Sequence, residues 1–496
     1  MSGLDWSPAA TLALFFLVIV YLFRVNQLLS RVPDEVRRLP GPPWTPARLR
    51  DTYEKLDREP IDYTDRLPPK LDRRYIVTGG SGLVGGFIVL QLLARGTPPA
   101  AIRVLDIRRS ERPDMQRGSA TKVDFVRTDI TSKYSVDSAF SKTWDPSVAQ
   151  LPLTVFHTAA VILASERSHH QYSFPESVNV HGTKLVLEAA TDAGADIFSS
   201  TSSASIAIKP VGAFVWPWAR EPRNFFQILD TRDFSEPLRK REGYFGNYPA
   251  SKAAAERLVC AADGDAMRTG CIRPANGVYG NPTDNTVGDP LSRAVLPTWV
   301  PHIVQSFVHG ANVAIAHLHH EAALVARPSS SGREGVAKVS GRPFVVTDPN
   351  PPIRYRDLYA CIRSLSVHPF TTVRVPPALV LLLAHAAELY AELQHRAPSW
   401  LPPLRGDIRH LKPGIFSICT HLVGTNAEIS RPVSEGGLGY EGALTTLQGM
   451  TLELLEWNRE HAAHGDDNRK RKAYTTSVSL AEKIRELGAI GKVASG

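Results

Sequence analysis

Two residues one helical turn apart carry the clearest chemistry in this 496-residue chain. In Tyr248-Pro249-Ala250-Ser251-Lys252 the tyrosine and lysine share one helix face, because four residues span just over a turn. A phenol with its ordinary pKa of about 10 is a poor base at neutral pH. An adjacent ammonium favours the phenolate. Such a pair can take the proton of an alcohol as it becomes a carbonyl. The chain holds no second Tyr-x-x-x-Lys. The reacting oxygen needs a hydroxyl to hold it. The run Ser199 to Ser205 supplies several, with Ser203 the first choice and Ser202 the second.

An alcohol oxidation also needs a hydride acceptor, and the stretch Tyr75 to Gly86 has the pattern that holds one. The β-branched run Tyr75-Ile76-Val77-Thr78 reads as a buried strand. It meets Gly79, Gly80, Gly82 and Gly85 and then a helical run, Phe87 to Ala94. Gly79 allows a tight turn, Gly82 lets the backbone approach a pyrophosphate, and Gly85 lets the helix pack close. The first-turn N–H groups at Leu83, Val84 and Gly85 then face the anion. Asp106 ends the next predicted strand, about twenty residues past the last glycine. A carboxylate there accepts from ribose hydroxyls and repels a 2′-phosphate, which favours NAD. Arg108 and Arg109 follow it and could serve such a phosphate, so NADP stays open. Asp129 and Ile130 follow the third predicted strand, where they can meet the adenine edge.

These groups must be positioned by alternating strands and helices. Strands are predicted at 75–78, 102–106, 123–127, 154–157, 196–200 and 270–273, with helices at 178–194 and 248–262. Units of this length predict an α/β fold, a Rossmann-type doubly wound parallel sheet. Beyond Pro274 the pattern loosens into a smaller α-rich substrate unit, with a Ser/Gly-rich loop at Ser329 to Gly332. The expected organisation is a membrane anchor over 1–30, a Pro- and charge-rich linker over 31–70, the nucleotide-binding domain over 71–273, the substrate unit over 274–460 and a polar tail over 461–496. The linker reads as a semi-rigid spacer holding the body off the membrane.

Trp6 to Phe23 contains no charged residue, and about 18 apolar residues is the lower limit for a transmembrane helix. A cleaved signal peptide fits less well, because Asp5 is the only charge before the apolar run. Arg24, Arg31, Arg37 and Arg38 follow the run, which keeps the catalytic body cytosolic. At 43% hydrophobic and 21% charged, the composition excludes wholesale disorder. The net charge of +8 comes with no zinc-finger spacing and no RNP-type motif, so no nucleic-acid partner is expected. The four scattered cysteines argue against a disulfide framework and a metal site, and no metal is expected. The basic run Asn468 to Lys472 reads as a solvated tail or a contact to anionic lipid.

In sum of motifs, the chain resembles an extended short-chain dehydrogenase/reductase, and within that group the 3β-hydroxysteroid dehydrogenase family. Thr78 to Gly85 resembles that family's cofactor loop, and Val155-Phe156-His157-Thr158-Ala159-Ala160 its fourth-strand motif. Asn179-Val180-His181-Gly182-Thr183 resembles its helix motif, Thr201 to Ala204 its serine strand, and Tyr248 to Lys252 its catalytic pair. Arg273-Pro274 with Gly277 to Gly280 resembles the turn flanking the nicotinamide, and Asn312-Val313-Ala314 a later motif. The resemblance covers roughly residues 75 to 460. It implies catalytic roles for Ser203, Tyr248 and Lys252, and cofactor contacts at Ala159, Tyr248, Lys252 and Pro274. It implies that Asn179 supports a water network. It implies oxidation of a sterol or steroid 3β-hydroxyl, with C4 decarboxylation or double-bond isomerisation in some branches. An endoplasmic reticulum membrane, a bilayer contact through residues 6–23 and a homodimer are compatible expectations. An NADPH-dependent reductase of dihydroflavonol-like ketones and a non-catalytic cofactor-binding scaffold are the alternatives. Two features depart from the family pattern. The loop bearing Trp216, Trp218, Phe225 and Phe226 reads as a substrate lid or a surface insertion. The apolar helix Pro376 to Leu393 reads as a core helix or an interfacial one.

Overall fold

The computed structural model describes residues 8–326, 338–397, 401–462 and 481–482. Trp6, the loop Ser329 to Gly332 and the basic run Asn468 to Lys472 lie outside the described residues. Seven parallel strands form the central sheet, in the order Pro343–Val346, Arg268–Pro274, Ala195–Thr201, Leu153–His157, Arg74–Thr78, Ile102–Asp106 and Asp124–Arg127. Tyr75, Ile76, Val77, Val155 and Phe156 have no exposed surface, as expected of strands covered on both faces. Arg74–Thr78 pairs with Ile102–Asp106 on one side (Tyr75 opposite Ile102) and with Leu153–His157 on the other (Tyr75 opposite Thr154). The chain order reverses between those neighbours. The carboxyl ends of the strands there form the crevice in which such sheets bind ligands.

The sheet does not close at Pro274. Pro343–Val346 adds the seventh strand, with Phe344 opposite Ile272. The helix Gly310–Ala326 packs across the glycine-loop helix Leu83–Ala94 and onto Ala195–Thr201. Segments from beyond Pro274 thus complete the first unit, joined to it by buried apolar faces that no local pattern reports. The helix expected over 178–194 opens as a π turn, Glu176–Gly182, and continues as Thr183–Asp192. Such wide turns recur at functional sites.

The segment 31–70 also differs from a spacer. Pro46–Arg58 is a helix, capped by Thr45, whose hydroxyl accepts from the Arg48 N–H at 3.3 Å. Leu49 and Leu56 lie seven residues apart on one stripe and are buried, as is Trp44. The helix faces Tyr355–Leu365 and Thr446–His461, and Trp44 and Leu49 share a core with Leu358, Ile362, Met450, Leu454 and Trp457. Burying each such leucine is worth about 1.5–3 kcal/mol. Asn458 donates to the Tyr53 hydroxyl at 3.1 Å and Arg459 pairs with Asp57 at 2.7 Å. The segment's high charge hid this narrow apolar stripe.

Among the described residues one helix, Pro8–Leu29, is long and apolar enough to cross a membrane. Leu12, Phe15, Phe16, Leu17 and Phe23 are exposed along it, whereas Val25, Leu28 and Leu29 are buried against the body.

Candidate active site

The glycine loop lies at the switch point. Gly79 has φ +69°, a left-handed conformation, and its N–H donates to the Leu105 carbonyl at 2.8 Å. A Cβ there would sit 2.7 Å from the Ala159 nitrogen, so the turn and the end of the fourth strand require glycine to approach. A Cβ on Gly85 would lie 2.4 Å from the Gly79 carbonyl oxygen and 2.7 Å from Thr158 Oγ1. Gly82 is the N-cap of Leu83–Ala94. Leu83, Val84 and Gly85 form the first turn, whose N–H groups have no acceptor within a helix. A bare turn with open donors at a helix N-terminus suits a pyrophosphate, so these residues fit a dinucleotide.

Asp106 ends the second strand beside this loop. Its carboxylate accepts from the Ser81 N–H at 3.1 Å and the Arg108 N–H at 3.4 Å, and burial pushes its carboxyl above the ordinary range. Arg108 is paired with Glu111 at 2.6 Å, and Arg109 lies over the Phe125 ring at 4.7 Å. Arg112, which the sequence did not single out, lies over Phe87 and donates to the Leu83 carbonyl at 2.8 Å. A Cβ on Gly86 would meet its guanidinium at 2.9 Å, which accounts for that extra glycine. Asp129 is exposed and accepts from the Thr131 N–H at 2.9 Å, closing its own turn. The Ile130 side chain is buried in the core against Gly182. Its side chain is thus a packing group, and the isoleucine offers an outside ligand only its backbone.

The other half of the crevice gathers the serine turn and the helix Asn247–Ala261. Ser203 follows the strand Ala195–Thr201 and N-caps the short turn Ala204–Ala207, its Oγ 2.8 Å from that of Ser205. Its hydroxyl also lies near enough to the Tyr248 phenol to favour the phenolate. Ser202 faces away and donates to Glu256 at 2.6 Å, which removes it as a holder of the reacting oxygen. Burial pushes the Tyr248 phenol up to about 12, and the Ser203 hydroxyl opposes this. Lys252 is buried and donates to the Thr201 carbonyl at 2.6 Å. Burial lowers its ammonium to about 8, against the nearby Cys271 and Glu256. Serine, tyrosine and lysine therefore meet at the end of one strand. The ammonium is parked on backbone rather than against the phenol.

Pro274 ends the strand Arg268–Pro274 and is buried. Arg273 before it pairs with Glu256 and Asp233, each at 2.6 Å. Asn179 lies on the π turn. Its amide donates to the Val161 carbonyl and to Ser251 Oγ, both at 3.0 Å, and its oxygen accepts from the Val161 N–H at 2.9 Å. It ties the loop after the fourth strand to the tyrosine helix. His157 is buried between Thr78 Oγ1 at 2.7 Å and Thr183 Oγ1 at 2.9 Å. Burial and Lys252 lower its pKa to about 3, so it is neutral. His317 and His320 were not anticipated. Ser199 Oγ lies 2.8 Å from Nδ1 of each, and Thr201 Oγ1 lies 2.8 Å from His317 Nε2. Three histidines, at 317, 319 and 320, in a largely apolar helical run were the available signal.

A glycine loop at the switch point of a doubly wound parallel sheet, facing a Ser/Tyr/Lys cluster, defines a Rossmann-type short-chain dehydrogenase fold. The chain belongs to the 3-beta hydroxysteroid dehydrogenase/isomerase family, whose model matches residues 76–368. It is 26% identical over 333 residues to the Arabidopsis thaliana 3beta-hydroxysteroid-dehydrogenase/decarboxylase isoform 2, covering 64% of this chain and 52% of that one. The chain thus spans about half the length of that relative. It is 28% identical over 334 residues to the Mus musculus 3 beta-hydroxysteroid dehydrogenase type 7, covering 62% of this chain and 78% of that one. Among solved structures, a UDP-glucose-4-epimerase from Stenotrophomonas maltophila superposes with a TM-score of 0.52 at 15% identity, over 79% of this chain and 99% of that one. At that identity the likeness concerns the fold alone.

Proposed function

We propose that this protein oxidises the 3β-hydroxyl of a sterol or steroid to the ketone, with NAD as cofactor. The observation that carries the reading is the meeting of Ser203, Tyr248 and Lys252 opposite the glycine loop in a chain of this family. NAD, when bound, supplies the hydride acceptor. Gly79, Gly82, Leu83, Val84 and Gly85 would hold its pyrophosphate, and Asp106 its adenosine ribose. The Asp106 carboxylate at the strand end supports NAD over NADP, and Arg108 beside it is paired with Glu111.

Ser203 donates to the substrate oxygen and orients it at Tyr248. Tyr248 Oη accepts the hydroxyl proton as the carbonyl forms. Lys252 supplies the positive charge that makes the phenolate accessible. In the free protein it is bonded to the Thr201 carbonyl, and with cofactor bound it would also donate to the nicotinamide ribose. Buried, neutral His157 adds no competing cation beneath it. The decarboxylase name of the Arabidopsis relative supports a 4-carboxysterol as one substrate class.

The helix Pro8–Leu29 anchors the chain in a bilayer, and the basic residues after it keep the body cytosolic, consistent with an endoplasmic reticulum membrane. A panel assay tests the reading. Full-length protein in detergent is expected to form NADH with 3β-hydroxysterols. Activity confined to dihydroflavonol-type ketones with NADPH would overturn it.

A further inference from the structure

The foot of the anchor helix carries an apolar face that the site above does not use. On the loop that follows the serine turn, Phe214, Trp216 and Trp218 are 47%, 71% and 76% exposed. The two indoles stack with centroids 5.2 Å apart. On the helix Pro377–Arg396, Leu379, Leu382 and Leu383 are exposed, and Leu389 and Leu393 continue the stripe. Phe214 joins the two patches, its ring 5.2 Å from that of His385.

Both patches are fixed to the anchor. Arg24 donates to the Ala219 carbonyl at 3.1 Å, and the Ala378 N–H to Asn26 Oδ1 at 3.4 Å. Val25, Leu28 and Leu29 share one core with Ala213, Val215, Leu381 and Ala384. The loop and the outer helix therefore lie at the foot of the membrane-crossing residues Leu12 to Phe23. Arg220, Arg223 and Arg374 are exposed at its sides.

We propose that this face lies in the headgroup–acyl boundary of the bilayer that the anchor crosses, with Trp216 and Trp218 inserted. It rests on the anchor reading given above. The bilayer is the occupant because the loop and the outer helix meet the anchor at Arg24 and Asn26, the level at which the anchor leaves the membrane. Indole rings favour that boundary and exposed arginines pair with anionic headgroups.

The test uses the full chain in phosphatidylcholine/phosphatidylserine vesicles with or without brominated acyl chains. Wild type is compared with the double variant Trp216→Phe/Trp218→Phe. Both are expected to float with the vesicles. The emission lost in the double variant is expected to be quenched by more than half in brominated vesicles and shielded from aqueous acrylamide. Emission reached by acrylamide and not by bromine would overturn the face while leaving the anchor standing. Emission shielded from both quenchers would assign the face to a second copy of this chain, and also overturn it. Failure of wild type to float would overturn the anchor and the face together.

Discussion

The two halves of the crevice are built in different ways. The nucleotide half is one continuous stretch, Arg74 to Asp106, whose geometry is set by backbone: a left-handed Gly79, a Gly85 with no room for a Cβ, and N–H donors at a helix end. The substrate half is assembled from distant segments. Ser203 comes from a strand end, Tyr248 and Lys252 from a later helix, and Asn179 from a π turn that binds that helix through Ser251. Backbone-set sites tolerate no side chain where they close, whereas assembled sites depend on a few buried hydrogen bonds. That difference can be broken at either end.

The largest effect is expected in the nucleotide half. Gly85→Val puts a branched side chain against the Gly79 carbonyl and Thr158, already 2.4 Å and 2.7 Å from a Cβ. NAD binding, measured by calorimetry, should be lost, and the melting temperature should fall by several degrees; unchanged binding would refute the close-approach account. In the substrate half, Asn179→Ala leaves the Val161 N–H and carbonyl without their side-chain partner. A cost of about 1–3 kcal/mol in chemical denaturation is expected. It should come with a larger loss in kcat than in NAD affinity; equal losses would detach Asn179 from the tyrosine helix.

How much of this was legible follows the same division. The turn geometry of the nucleotide half could be read because Gly79, Gly82, Gly85 and Asp106 follow a local spacing. The strand ends matched to within a residue or two, since each is a short apolar run between polar or turn residues. The seventh strand Pro343–Val346 and the docking of Pro46–Arg58 are long-range packing, which periodicity does not report. The Lys252 bond to the Thr201 carbonyl and the buried His317 and His320 depend on tertiary neighbours. Ser203 and Ser202 were both singled out by the hydroxyl-rich run, but the Ser202 bond to Glu256 depends on a tertiary neighbour.

Smaller effects sharpen the comparison. Asp106→Ala removes the acceptor at the ribose and the partner of the Ser81 N–H. NAD affinity should fall about tenfold, equivalent to about 1.4 kcal/mol, and NADP affinity should change less. A parallel loss of both would place the 2′-position elsewhere. Glu453 offers a stability test outside the glycine loop and the Ser/Tyr/Lys cluster. It is buried, its Oε2 accepts from the Gly280 N–H at 3.0 Å, and burial beside Asp284 raises its pKa well above the ordinary value. The folded state keeps this proton after the unfolded chain has lost it, so stability falls as pH rises from the unfolded value toward the raised folded one. Glu453→Gln removes that dependence. It should raise the melting temperature by about 2–4 °C at pH 8 and by less at pH 5. An equal gain at both values would mean that Glu453 is not holding a proton.

The central claim is that Tyr248 accepts the substrate proton in a sterol-oxidising site. Tyr248→Phe keeps the ring and removes the phenol beside Ser203. Full-length protein with a 3β-hydroxysterol and NAD should lose at least about 10²-fold in kcat on this change, while NAD affinity by calorimetry stays within about twofold. Retention of wild-type turnover in Tyr248→Phe would contradict it.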